Sequence, residues 1–141
     1  MWRDRPARIL IVDDHPKNGL ALNVILEGME TIEVETACSG EEARARVASI
    51  DYALILLDLN MPGMDGFETA KRIRETPRSA ETPIIFLTAF ADILHEAEAY
   101  AHDAVDFIET PVIPAQLRSK VKLFADYSRM REELAERQPN S

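Results

Sequence analysis

A chain of 141 residues, 46% of them hydrophobic, has the length of one domain and enough apolar content to form a core without disulfide or metal staples. Its net charge of −9 disfavours nucleic acid and anionic membrane as partners. The lone Cys38 excludes an intramolecular disulfide and a paired-cysteine metal site, so a reducing, cytoplasmic setting is expected. The opening MWRDRPARILIVDD lacks the apolar core of a signal peptide, and no apolar run approaches the ~20 residues that a membrane helix needs.

Along the chain, short apolar runs alternate with helical periodicity. Ile9 to Val12 is continuous and apolar, as a strand buried on both faces should be. Pro16 suits a first helical position, and Leu22, Ile25, Leu26 and Met29 follow at helical spacing. Thr31 to Thr36 is rich in β-branched residues and predicts a strand. Ser39 with Glu42 reads as a capping box, and Ala43, Val47 and Ile50 give the next helix its apolar stripe. Ala53 to Leu57 is a further apolar strand, and Met61-Pro62-Gly63 marks a loop. Asp65 and Glu68 open another helix, which buries Phe67, Ala70 and Ile73. Pro83 to Leu87 predicts the fourth strand, about Ala91 to Ala101 a weaker helix, and Ala104 to Ile108 the last strand. Pro114 opens a long helix that runs to about Arg137.

Five strands alternating with five helices predict an α/β domain with a parallel sheet and right-handed crossovers. Ligands of such sheets bind beyond the carboxyl ends of the strands, where the strand order reverses. The residues there are Asp13-Asp14, Asp58, Thr88 and Thr110-Pro111. Three carboxylates crowded into one crevice raise the pKa of at least one of them unless a cation intervenes, and an oxygen-only donor set suits a hard ion such as magnesium. A carboxylate held against such an ion can attack a phosphoryl group, and Thr88 would offer its hydroxyl to a phosphoryl oxygen.

From about Arg8 to Leu123 the chain resembles the receiver domain of response regulators, in the stretches ILIVDDHP, LILLDLNMPGMDGFE, IIFLTAF and AVDFIETP. The resemblance implies a flavodoxin-like (βα)5 fold, a doubly wound parallel sheet with strand order 2-1-3-4-5. It implies magnesium held by Asp13, Asp14, Asp58 and the backbone carbonyl of Asn60. It makes Asp58 the acceptor of a phosphoryl group from a histidine kinase or histidine phosphotransfer protein, Thr88 and Phe107 the switch pair, and Thr110-Pro111 a cis bond. The chain departs from the family at two places: Thr110 stands where the family has lysine, and Asp103 where it usually has glycine. Lys17, in the loop after the first strand, is read as solvated, with a reach into the crevice as the lesser alternative. The stretch DDHPKNG nearly matches the Asp-x-His-x-x-Gly signature of cobalamin domains, but Asn18 holds the glycine position and Gly19 comes one residue late, so His15 reads as a rim residue. His95, His102 and Trp2 carry no motif.

The function expected is a phosphorylation-switched signalling module, not an enzyme beyond its own phosphorylation and dephosphorylation. The alternative is a pseudo-receiver that binds proteins without phosphorylation. An aspartyl-phosphate phosphatase is disfavoured because the first strand ends in Asp-Asp-His, not Asp-x-Asp. Residues 1–123 are read as the receiver domain and 124–141 as a helical extension or linker. The last helix places Leu117, Val121 and Phe124 toward the sheet. It carries a second stripe, Leu123, Tyr127, Met130 and Leu134, at coiled-coil spacing. A homodimer is expected through that stripe or through the face formed by the fourth helix, fifth strand and fifth helix.

Overall fold

The computed structural model describes residues 5–61, 63–89 and 106–137. Its strands are β1 (Ala7–Val12), β2 (Ile32–Ala37), β3 (Leu54–Asp58), β4 (Ile84–Ala89) and β5 (Asp106–Thr110). Its helices are α1 (Pro16–Leu26), α2 (Gly40–Val47), α3 (Gly66–Glu75) and the C-terminal α4 (Pro114–Arg137), with a 3-10 turn at Pro77–Ser79. The weaker helix expected near 91–101, together with Trp2, His95, His102 and Asp103, lies outside the described residues. The sheet is parallel throughout, in the order β2-β1-β3-β4-β5, as expected.

The apolar runs are continuous because both faces of the sheet are covered. Alternate residues of one strand serve two cores. Leu10, Val12, Ile55, Leu57, Ile84 and Phe86 meet Ala43 and Val47 of α2 and Ala70 and Ile73 of α3. Ile9, Ile11, Leu54, Leu56, Ile85 and Leu87 meet Leu22 and Leu26 of α1 and Leu117, Val121 and Ala125 of α4. The fourth strand begins at Ile84, one residue later than predicted, since Pro83 has no N–H to donate and contributes only its carbonyl, which accepts from Ile55 N–H at 3.0 Å.

The helix starts follow their capping residues. Ser39 Oγ accepts from Glu42 N–H at 3.1 Å, while the Glu42 carboxylate accepts from Cys38 N–H at 2.8 Å, one residue earlier than a strict capping box requires. Asp65 accepts from Glu68 N–H at 2.9 Å. The helix that Asp65 caps is pressed against the end of β3. Gly66 N–H donates to Leu59 O at 3.1 Å, and a Cβ at Gly66 would stand 2.6 Å from both Asp58 O and Leu59 Cα. These are backbone atoms, so a methyl group there displaces the helix or the strand end. Gly66→Ala is expected to destabilise the fold by about 1–3 kcal/mol, the usual range for overpacking. Chemical denaturation checks it, and an unchanged midpoint would show that the contact yields freely.

Candidate functional site

The register of the sheet sets the site. Val12 of β1 pairs with Leu57 of β3, so the next residues, Asp13 and Asp58, stand level on neighbouring strands. Asp58 in turn pairs with Leu87 of β4, which brings Thr88 one step beyond it. Thr110, the last residue of β5, pairs with Ala89 and is joined to Pro111 by a cis peptide, as expected. Between β1 and β3 the chain order reverses, and the crevice opens there.

Asp13 is 6% exposed, with its N–H donating to Ala37 O at 3.0 Å and its Oδ1 accepting from His15 N–H at 2.9 Å. Burial raises its pKa above the ordinary value, against hydrogen bonds from His15 and the Asn18 side chain that lower it. Asp58 is pushed up to about 6, first by burial and then by the charges of Asp13 and Asp14, while a 3.1 Å bond from Asn60 N–H to Oδ1 opposes the shift. Asp14 is half-buried, and Nδ1 of the exposed His15 stands 3.1 Å from Asp14 Oδ1 and 3.8 Å from Asp13 Oδ1. Ligand atoms of Asp13, Asp14 and His15 lie within 4.8 Å of one another. These three make a set of two carboxylates and an imidazole, in which His15, its side chain 68% exposed, stands at the rim. His15 joins it as the N-cap residue of α1, held beside Asp13 by its own backbone bond.

Asp13 and Asp58 share a cavity of about 490 Å³ with Asn18, Ala21, Leu22 and Ile25 of α1, Leu87, and Thr110, Pro111 and Val112. No Lys or Arg stands among these lining residues, and Lys17 is exposed outside them. Thr88 is buried and donates from its hydroxyl to Ala89 O at 3.3 Å. Phe107 is half-buried against the core on the α2–α3 side, and Asn60 is exposed in the loop after β3. The reading of the sequence missed Asn18, whose signal was a polar residue in the first turn of the helix behind the acidic pair. It also missed the apolar wall of the cavity, because the same residues of α1 read simply as a core stripe.

Raised carboxyl pKa values in a crevice are what a bound cation would relieve, and the carboxylate donors fit a hard ion. Fold and crevice together define a doubly wound α/β protein with an acidic site at the strand ends. The family model described as response regulator receiver domain matches residues 9–122. The chain is 39% identical over 114 residues to the transcriptional regulatory protein SrrA of Staphylococcus aureus (strain NCTC 8325 / PS 47), covering 81% of this chain and 46% of that protein. It thus spans about half the length of the curated relatives it matches. The solved chemotaxis protein CheY4 of Vibrio cholerae superposes with a TM-score of 0.78 at 31% identity, covering 84% of this chain and 98% of that one. The receiver domain of sensor histidine kinase PA1611 from Pseudomonas aeruginosa PAO1, solved with magnesium coordinated in its active-site cleft, superposes with a TM-score of 0.77 at 25% identity, covering 86% and 98%. The chain belongs to the response-regulator receiver domain family, a family of signalling modules. Among the described residues no helix is long and apolar enough to cross a membrane.

In metal-free buffer the Asp58 carboxyl carbon should titrate with a midpoint near 6, followed by NMR. The folded-state value lies above the ordinary 3.8, so the fold loses stability relative to the unfolded chain as pH rises through this interval. Asp58→Asn should therefore raise the thermal midpoint at about pH 8 and change it little at about pH 3.5, where Asp58 is already neutral. Equal shifts at the two pH values would refute the assignment.

Proposed function

We propose that Asp58 accepts a phosphoryl group from a histidine kinase or histidine phosphotransfer protein and that the modification switches a signalling output. The observation that carries this reading is the placement of Asp58 level with Asp13 at the strand ends, in a 490 Å³ cavity open to a donor. An Asp58 carboxylate oxygen attacks the phosphorus of a phosphohistidine. The P–N bond breaks, an acyl phosphate forms, and the imidazole leaves with the bonding electron pair and takes up a proton. The exposed Leu20 and Val24 of α1 supply apolar surface beside the cavity for the donor protein.

Asp13, Asp14, Asp58 and the Asn60 carbonyl would hold magnesium. When bound, the ion supplies positive charge against the carboxylates and the incoming phosphoryl oxygens. The Asn60 N–H and the Asn18 side chain hold Asp58 and Asp13 by hydrogen bonds. Thr88 and Phe107 act as the switch pair: the Thr88 hydroxyl leaves the Ala89 carbonyl for a phosphoryl oxygen, and Phe107 turns inward. Thr110 presents no charge where a cation would meet the phosphoryl group. At an effective dielectric of ~20, a unit pair at ~4 Å is worth about 4 kcal/mol before desolvation.

Acetyl phosphate with magnesium should therefore phosphorylate the wild type and leave Asp58→Asn unmodified, read by intact mass and supported by beryllofluoride-induced amide shifts around Asp58. An equal mass gain in both proteins would sink the acceptor assignment. Thr110→Lys should increase the phosphorylation rate or enlarge the spectral change that accompanies it. No movement in either quantity would mean that the crevice has another cation, with Lys17→Ala as the next test.

A further inference from the structure

The outer half of α4 carries an apolar stripe that the body leaves uncovered. Leu123, Tyr127, Met130 and Leu134 are 62, 47, 60 and 56% exposed, whereas Leu117, Val121 and Ala125 on the same helix are at most 1% exposed. At about 100° per residue, the exposed stripe is centred about 150° around the helix from the buried one. A partner therefore reaches it from the side away from the sheet. Scattered exposed apolar residues need no explanation, but four at spacings of four, three and four form one continuous seam.

We propose that this seam pairs with a second copy of the chain, the two α4 helices lying parallel as a short coiled coil. The spacing makes Leu123 and Met130 d positions and Tyr127 and Leu134 a positions, each matched to its equivalent across a two-fold axis. The flanking charges select the direction. Asp126 falls at g and Arg131 at e, so parallel helices set Asp126 beside the partner's Arg131, opposite in sign. Antiparallel helices set Asp126 beside the partner's Glu133, like charges that repel. Two of the present partners are exposed and exchange at little cost, Lys122 at 2.7 Å from Asp126 and Glu81 at 3.7 Å from Arg131, whereas Arg129, 3.2 Å from Asp126, is mostly buried and keeps its bond to the Thr31 carbonyl.

An isolated helix of two heptads is marginal in water. Here the first half of α4 is already ordered by Leu117, Val121 and Ala125 on the sheet, so association does not bear the cost of nucleating the helix. The inference stands apart from the phosphoryl reading and concerns a different surface.

Sedimentation of the full chain at tens of micromolar should show a reversible monomer–dimer equilibrium. Tyr127→Glu with Met130→Glu should raise the dissociation constant roughly tenfold or more, at unchanged circular dichroism, because both side chains are exposed in the monomer. Asp126→Arg should weaken the dimer, and adding Arg131→Asp should restore it. Met130→Cys in a Cys38→Ser background should oxidise to a covalent dimer, since d residues face their equivalents. A wild type monomeric throughout this range, a dimer indifferent to the paired glutamates, a dimer tightened by Asp126→Arg, or a Met130→Cys chain that fails to cross-link would each overturn the proposal.

Discussion

The parallel pairing of β1 with β3 is the constraint on which the rest of the molecule depends. It is held by apolar residues buried on both faces, Ile9 to Val12 against Leu54 to Leu57. It ends with two carboxylates side by side. A one-residue slip would exchange the faces of every side chain on the strand and expose half of each core. Packing therefore locks a register that electrostatics alone would oppose. The site exists because the core on either side of the sheet leaves Asp13 and Asp58 no other arrangement.

The neighbouring elements shape that crowded pair into a chemical site. On one side, α3 closes against the end of β3 so tightly that Gly66 has no room for a methyl group. On the other, α1 and the turn after β5 stand off far enough to leave a cavity. The cavity is acidic at its floor, apolar along α1, and without a fixed cation among its lining residues. Burial and like charge leave Asp58 with a higher proton affinity than a surface aspartate. A cation placed among these carboxylates would favour its ionised form.

The long helix α4 works in two directions. Its first half completes the core beside α1, where Leu117 and Val121 are fully buried. Arg118 reaches the carbonyl of Ile25 at 3.4 Å, Lys120 meets Asp106, and Arg129 meets the carbonyl of Thr31. The same helix carries its apolar seam on the opposite face. The exposed seam and the residues that complete the core thus lie on one helix.

Much of this was legible in the amino-acid sequence by itself. The identity of β1, β3 and β4 followed from continuous apolar runs and that of β2 from β-branched residues, the starts of α2 and α3 from Ser39 and Asp65 with their glutamates, and the strand-end position of Asp13, Asp14, Asp58, Thr88 and Thr110 from the alternation of elements. These signals are local: each is set by neighbours within one or two turns of the chain. Other features were decided only by tertiary structure. Local patterning did not reveal that Asn18 bonds Asp13, that His15 folds onto the acidic pair, or that Ala21, Leu22 and Ile25 line the cavity with Asp58, because those residues meet only when α1 packs on the sheet. By contrast, the two faces of the last helix were legible: Leu117, Val121 and Phe124 were expected on the sheet and Leu123, Tyr127, Met130 and Leu134 on a second stripe, and Leu117 and Val121 are buried, Phe124 partly so, while the second stripe is exposed. What only packing decided on that helix is that Ala125 joins Leu117 and Val121 fully against the core while Phe124 stays partly exposed, because the angle at which the helix crosses the sheet selects the covered edge of an apolar stripe.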